Sequence, residues 1–345
     1  MSFRFQHHTL FFHKPAKTSR DVLTNRDVYF VQCLSDDASV SGLGECAPIW
    51  GLSPESKAEV ERTLANWNNI MQHPEQLTDV FNRISSLRFA VETALRDMAA
   101  GGTMHPFDVD LKHPIPINGL IWMSDAESML RECRDKVEAG FTTIKFKVGA
   151  LNFQEEIYLL RAVRSEFAER NLEIRLDANG AFNPKDALEK LDLLSTFRIH
   201  SIEQPIKAGQ RDAMAHLIEK SPIAIALDEE LIGVHTTTEK RKLIEHVRPH
   251  YLVLKPTLHG SFSGCDEWVA LTEEKGIGWW ATSALESNIG LNAIAQWVLT
   301  KRVSLPQGLG TGALFSNNVQ SPWVVENGFL RYDKNLHWNF KSIFP

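Results

Sequence analysis

Cysteine is scarce in this chain, long apolar runs are missing, and basic residues do not outnumber acidic ones. The four cysteines, Cys33, Cys46, Cys133 and Cys265, lie far apart and form no C-x-x-C pair. That spacing excludes a disulfide framework, argues against a zinc site and predicts buried thiols in a reduced, cytoplasmic protein. No stretch approaches the roughly 20 apolar residues of a membrane span. The N-terminal Met-Ser-Phe-Arg-Phe-Gln-His-His has no apolar core either, so no signal peptide is expected. With 37 Lys and Arg against 43 Asp and Glu, the formal charge of −6 leaves no polybasic footprint for nucleic acid or a membrane surface. The 13 histidines show no ligand spacing. What remains is a globular composition, 43% hydrophobic and 23% charged, over 345 residues. That length suggests two domains.

Residues 1 to about 50 read as a small antiparallel sheet: a strand-like run at Asp27–Leu34, a turn at Ser35-Asp-Asp37 and a return at Val40–Glu45. Ser53-Pro54 has the form of a helix start, predicting a helix to about Met71. A second helix is expected from about Ser85 to Ala100, stopping at Gly101-Gly102. Strands followed by helices make residues 1–110 an α+β domain. After Pro114 the pattern alternates, with strands expected near 115–120, 142–148, 173–177, 199–203, 223–228, 250–255, 277–283 and 303–308. Helix starts fall at a capping box, Ser124-x-x-Glu127, and at Asn183-Pro184. Eight such units predict a (β/α) barrel over about 114–312, with 313–345 returning to complete the N-terminal domain.

Three of those strands end in an acid, Asp177, Glu203 and Asp228, and the next ends in Lys255. The intervals are 26, 25 and 27 residues, the length of one strand-plus-helix unit when about 250 residues make eight. Charges in that phase converge at the C-terminal ends of the strands, where such barrels keep their active sites. Single acids often cap the helix that follows a strand, but three in register favour a shared cation. All-oxygen ligation without His or Cys points to Mg²⁺, for which Mn²⁺ could substitute.

Lys145 and Lys147 alternate with Ile144, Phe146 and Val148, so both lysines face the barrel interior while the apolar residues face the helices. At about 7 Å and an effective dielectric near 20, two such charges repel by about 2.5 kcal/mol. Lys145 would thereby favour Lys147 as a general base. Lys255, on the sixth strand, stands diametrically opposite the second. Asn179 and Gln204, each beside an acid, suit orientation of the ligands or simply the local turns. Ser283 lacks the frame of a serine nucleophile and reads as a hydrogen-bond donor to substrate. Gly308-Leu-Gly310-Thr311-Gly312 follows the eighth strand and could offer N–H groups to an anion.

These residues resemble the enolase superfamily in its muconate-lactonizing subgroup: a K-x-K on the second strand, a D/E/D triad on strands three to five and a lysine ending strand six. Within it, Val-Leu-Lys255-Pro-Thr-Leu-His-Gly-Ser261, Ser-Ala-Leu-Glu-Ser-Asn-Ile-Gly290 and Ala47-Pro-Ile-Trp-Gly-Leu-Ser53 are most similar to the o-succinylbenzoate synthase family. The resemblance implies an α+β cap on the barrel and a Mg²⁺ held by Asp177, Glu203 and Asp228. It also implies Lys147 as base and Lys255 as its partner, with Lys145, Ser283, Gly310 and Thr311 around a small carboxylate substrate. The implied reaction is syn-dehydration of a succinyl-hydroxycyclohexadiene carboxylate in menaquinone biosynthesis. An N-acylamino-acid racemase or dipeptide epimerase would use the same lysines as two bases. In either case, segments 14–25 and 47–53 are expected to close over the barrel mouth.

Overall fold

The structure, a computed structural model, describes residues 1–17, 22–149, 151–301, 303–341 and 343. The cap begins with three antiparallel strands in chain order, β1 (Ser2–Lys17), β2 (Val22–Leu34) and β3 (Ser41–Cys46). Along β2 the side chains alternate between two buried surfaces. Tyr29, Val31 and Cys33 meet the cap helices, whereas Val28 and Phe30 face the other way, towards Ile289 and Phe315. Helices α1 (Lys57–Ala65), α2 (Trp67–Gln72), α3 (Leu77–Arg83) and α4 (Ser85–Ala99) follow. Helix α4 lies so close to β3 that a Cβ on Gly42 or Gly44 would sit 2.0 Å from the carbonyl of Ala94 or Ala90. Only glycine admits that approach.

Two helix boundaries in the cap differ from expectation. Ser53 Oγ turns back to accept the Ile49 N–H at 2.9 Å, which leaves Ser56 to cap α1. The single helix expected to Met71 is interrupted at Asn66.

The barrel is entered through β4 (Ile115–Pro116). Its parallel strands are β5 (Gly119–Ile121), β6 (Thr143–Lys147), β7 (Glu173–Asp177), β8 (Ser201–Glu203), β9 (Ala224–Leu227), β10 (Tyr251–Leu254) and β11 (Gly278–Ala281), paired in chain order. The intervening helices are α5 (Ala126–Glu138), α6 (Phe153–Glu166), α7 (Ala187–Ser195), α8 (Arg211–Lys220), α9 (Thr237–Val247), α10 (Ser261–Lys275) and α11 (Asn288–Lys301). The eighth strand, expected over 303–308, is reduced to two residues. Gln307 and Gly308 bridge Ile117 and Thr282 in parallel and close the ring, with Asn118 N–H on Gln307 O at 2.9 Å and Gly308 N–H on Ala281 O at 2.8 Å. Pro306, which lacks an N–H, stops the ladder just before them.

Helix α5 is capped by Asp125, which accepts the Ser128 N–H at 2.8 Å, rather than by Ser124. Asn183 forms a turn with the N–H of Lys185, so α7 starts only at Ala187. The C-terminal segment serves both blocks. Phe315 bridges Phe12 of the cap, whereas β12 (Trp323–Glu326) pairs with β13 (Phe329–Tyr332), which in turn pairs with β4 at the barrel entrance. Among the described residues no helix is long and apolar enough to cross a membrane.

Candidate active site

Parallel pairing aligns the functional side chains. Lys147 is in register with Asp177, and Asp177 with Glu203. Glu203 pairs with Ala226, and Asp228 lies two residues beyond it on the same face. Ala226, Val253 and Trp280 form an apolar cluster inside the barrel, and Lys255 follows Val253 by two residues. Ile144, Phe146 and Val148 are buried against the helices. The second and sixth strands are separated by three strands along the sheet, so Lys147 and Lys255 stand on opposite sides of the mouth.

All six charged groups are buried. Lys145 Nζ lies 2.9 Å from Glu203 Oε2 and 3.3 Å from Asp177 Oδ2. Lys147 Nζ donates to Asp177 Oδ2 and, at 2.8 Å, to Asn179 Oδ1. Lys255 Nζ donates to Asp228 Oδ2. Burial alone would push Asp177 and Asp228 up, but Lys147 and Lys145 hold the first, and Lys255 the second, below the usual carboxylate range. Glu203 goes the other way, pushed well up by burial and by the neighbouring Asp177. Burial disfavours the charge on Lys145 and Lys255, yet the facing carboxylates outweigh it and raise both. Lys145 thus keeps its charge, tied to Glu203 and Asp177.

Among the described residues no three acid, His or Cys side chains are gathered closely enough to hold a metal ion as they stand. The carboxylates are turned onto the lysines instead. The donor set nonetheless fits a hard cation. Glu203 Oε1 and Asp228 Oδ1 are buried without a partner, and every available donor in the row is oxygen.

Asn179 and Gln204, both at positive φ, reach across strands. Asn179 Nδ2 donates to Glu229 at 2.9 Å, while its Oδ1 receives Lys147. Gln204 Oε1 accepts the N–H of Asp228 and of Glu230, both at 3.2 Å, and so fixes the turn that presents Asp228. Ser283 donates its hydroxyl hydrogen to Glu286 at 2.5 Å and accepts the Leu285 N–H at 2.9 Å. Its hydrogen is therefore committed within its own loop. Thr311 is buried with its hydroxyl unpartnered, and Gly310 lies beside Asn118 and Ile117.

A cavity of about 1430 Å³ opens above this row. Lys145, Lys147, Asp177, Asn179, Lys255, Ser283, Gly310 and Thr311 line it from the barrel, and His13, Lys14, Pro15, Leu23 and Ile49 to Leu52 line it from the cap. The two cap segments expected over the mouth thus border the cavity, although residues 18–21 fall outside the described part of the chain. Sequence reasoning missed Trp122, whose ring centroid is 6.0 Å from Lys147 Nζ, and Asn118, whose buried Oδ1 has no partner. Asn118 just before β5 and Trp122 just after it alternate with Leu120, the register partner of Lys145, and that alternation could have marked them. It also missed the charged seam between the domains. Glu45 of β3 accepts the N–H groups of Ser287 and Gly290 at 2.7 and 2.8 Å, capping α11 from the cap domain. Arg26 of β2 donates to the carbonyls of Ala284 and Ala47.

A closed parallel barrel, an α+β cap and a run of three acids flanked by lysines at the mouth define an enolase-type enzyme. The enolase C-terminal domain-like family model matches residues 128–335, and the chain belongs to that family. More particularly, it is 40% identical to the o-succinylbenzoate synthase of Desulfotalea psychrophila, over 96% of this chain and 98% of that one. The crystal structure of MenC from D. psychrophila matches with a TM-score of 0.86 at 36% identity, covering 96% of this chain and 99% of that one. An N-succinyl-L-Arg/Lys racemase from Bacillus cereus is 28% identical over 54% of this chain and 50% of its own.

Proposed function

We propose that the chain is an o-succinylbenzoate synthase, removing water from a cyclohexadiene carboxylate that carries a hydroxyl and a succinyl chain. The observation that carries this reading is the Lys147–Asp177–Glu203 row with Lys255 opposite, beneath a capped cavity, in a chain 40% identical over nearly its full length to a relative of that activity. Lys147, once deprotonated, takes the proton α to the substrate carboxylate, and the electron pair enters the carboxylate as an enediolate. Re-forming the carbonyl expels the β-hydroxide, which takes up the proton from Lys147 and leaves as water. Lys255 and Lys145, both held in the charged state by facing acids, contribute fixed positive charge where the anion develops.

The cofactor we propose is Mg²⁺, with Mn²⁺ as a substitute, held by Asp177, Glu203 and Asp228. When bound it would supply a further positive charge beside the substrate carboxylate. The balanced pairing of Lys147 on Asp177 and Lys255 on Asp228 also suits a two-base racemase. Against that reading, Lys147 donates to Asn179 as well as to Asp177, which makes the two sides unequal.

The test is to incubate the purified protein and Mg²⁺ with the cyclohexadiene substrate and, separately, with a panel of N-acylamino acids. Aromatic product from the first, lost on chelation and restored by Mg²⁺ or Mn²⁺, is the expected result. Racemisation of the panel without dehydration would overturn the reading.

A further inference from the structure

Strand six stops one residue before Lys255, and what replaces the ladder there is a tight turn through Ser261. Lys255 carbonyl accepts the N–H of Leu258 at 2.8 Å and of His259 at 2.9 Å, and Pro256 carbonyl accepts the N–H of Ser261 at 2.9 Å. The Lys255 N–H, which a longer strand would give to its neighbour, donates instead to Nδ1 of His259 at 3.0 Å. Outer ties hold the same turn. Thr257 donates its hydroxyl to Glu286, and the Gly260 N–H donates at 2.8 Å to Ser85 of the cap.

His259 is 2% exposed, and its Nε2 has no partner. Because Nδ1 accepts, the neutral ring carries its proton on Nε2. Charged groups face the ring from Asp228, Lys255 and Lys240, and burial outweighs the acid among them, so the imidazole stays uncharged. A neutral acceptor on this N–H adds no repulsion beside the Lys255 ammonium. An imidazolium would have no lone pair to accept with and would oppose that charge.

We infer that His259 is a positioning residue for Lys255, clamping its backbone on both sides of the Cα, ring on the N–H and backbone N–H on the carbonyl, so that the ammonium is delivered to one place. This deepens the reading of Lys255 as the electrostatic partner and rests on it. A lysine has four rotatable side-chain bonds, and a fixed base is what makes its reach reproducible.

Two measurements test the clamp. In ¹⁵N-histidine-labelled protein, with the resonance assigned by its loss in His259→Asn, Nδ1 should be the unprotonated nitrogen and Nε2 the protonated one. A protonated Nδ1 overturns the clamp whatever the activity. In kinetics, His259→Leu should lower kcat about tenfold or more while KM stays within about threefold, and His259→Asn, which keeps a short acceptor, should recover part of the loss. In a Lys255→Met background the His259→Leu change should cost less than about twofold, because the group it positions is gone. Equal losses with and without Lys255, or a rise in KM alone, would reduce His259 to a packing residue. If His259→Leu does not fold, the resonance assignment and His259→Asn decide the matter. Full turnover by Lys255→Met would instead defeat the reading of Lys255, a failure distinct from a wrong tautomer.

Discussion

At the C-terminal ends of the barrel strands, Asp177, Glu203, Asp228, Lys145, Lys147 and Lys255 crowd together beneath a large cavity. Deeper inside, Arg175 is a buried charge away from the cavity. It stacks 4.4 Å above the Trp280 ring, donates to Glu173 at 2.9 Å and to the Pro306 carbonyl at 2.8 Å, and lies two residues before Asp177 on β7, beneath the Lys147–Asp177–Glu203 row. Tyr251 and His200 close the cluster over Trp280. The interior Arg175 gives Nε to one partly exposed acid and Nη1 to one carbonyl and lays its face on one ring, while its Nη2 is buried without a partner. The groups at the mouth satisfy one another and leave carboxylate oxygens over. Buried charge packed away from any cavity serves the fold, whereas buried charge with spare lone pairs beside a cavity is placed for chemistry.

Substitutions at the two levels should therefore separate activity from stability. The largest effect is expected from Lys147→Ala, which should cost about 10³-fold or more in turnover while the thermal midpoint moves little. An unfolded Lys147→Ala protein would blur the distinction. Next, Glu203→Gln should weaken Mn²⁺ binding about tenfold or more in calorimetric titration without loss of stability, since burial and Asp177 already disfavour its charge. Unchanged metal affinity would remove Glu203 from the ligand set. At the lower level, Arg175→Met should reverse the pattern, costing about 1–3 kcal/mol in denaturant unfolding while turnover stays within a few-fold. A catalytic collapse at native stability would show that Arg175 belongs to the site.

The seam between cap and barrel gives the smallest expected effect. Burial pushes Glu45 up to about 7 from an ordinary 4.5, in spite of the donors from Ser287 and Gly290. The folded protein then holds a proton that the unfolded chain releases between those values, so this contribution to stability is present at the acid side and declines as pH rises through about 7. Glu156, also raised to about 7 by burial, adds a slope of the same sign. The diagnostic is therefore the difference between the parent and Glu45→Gln. The variant should lose less stability between roughly pH 5 and pH 8, measured by denaturant unfolding, and parallel curves would assign the slope elsewhere.

Most of the barrel was legible because strand period and helix length repeat, and each acid or lysine falls at a strand end in phase. Seven strands lie where alternation and β-branched runs put them. The eighth, expected over 303–308, survives only as Gln307 and Gly308, because a proline at 306 outweighs the apolar run before it. Helix starts at Ser53, Ser124 and Asn183 were each displaced by one to four residues, since those side chains found turn partners or a better cap stood beside them. What sequence could not show was anything made by distant segments meeting. Arg26 and Glu45 reach the loop at 284–290 from the cap. The pairing of Lys145 with Glu203 is likewise a property of the assembled ring, not of the K-x-K spacing.

On the proposed reading the two lysines at the mouth are unequal, Lys147 acting as the base and Lys255 as a fixed charge. Solvent-deuterium exchange at the α-carbon of a non-eliminating substrate analogue measures this directly. Lys147→Ala should abolish exchange, and Lys255→Ala should slow it without changing which face exchanges. Loss of exchange for one enantiomer in each variant, with the other retained, would mark a two-base racemase, and wild-type elimination by Lys147→Ala would contradict the assignment of the base outright.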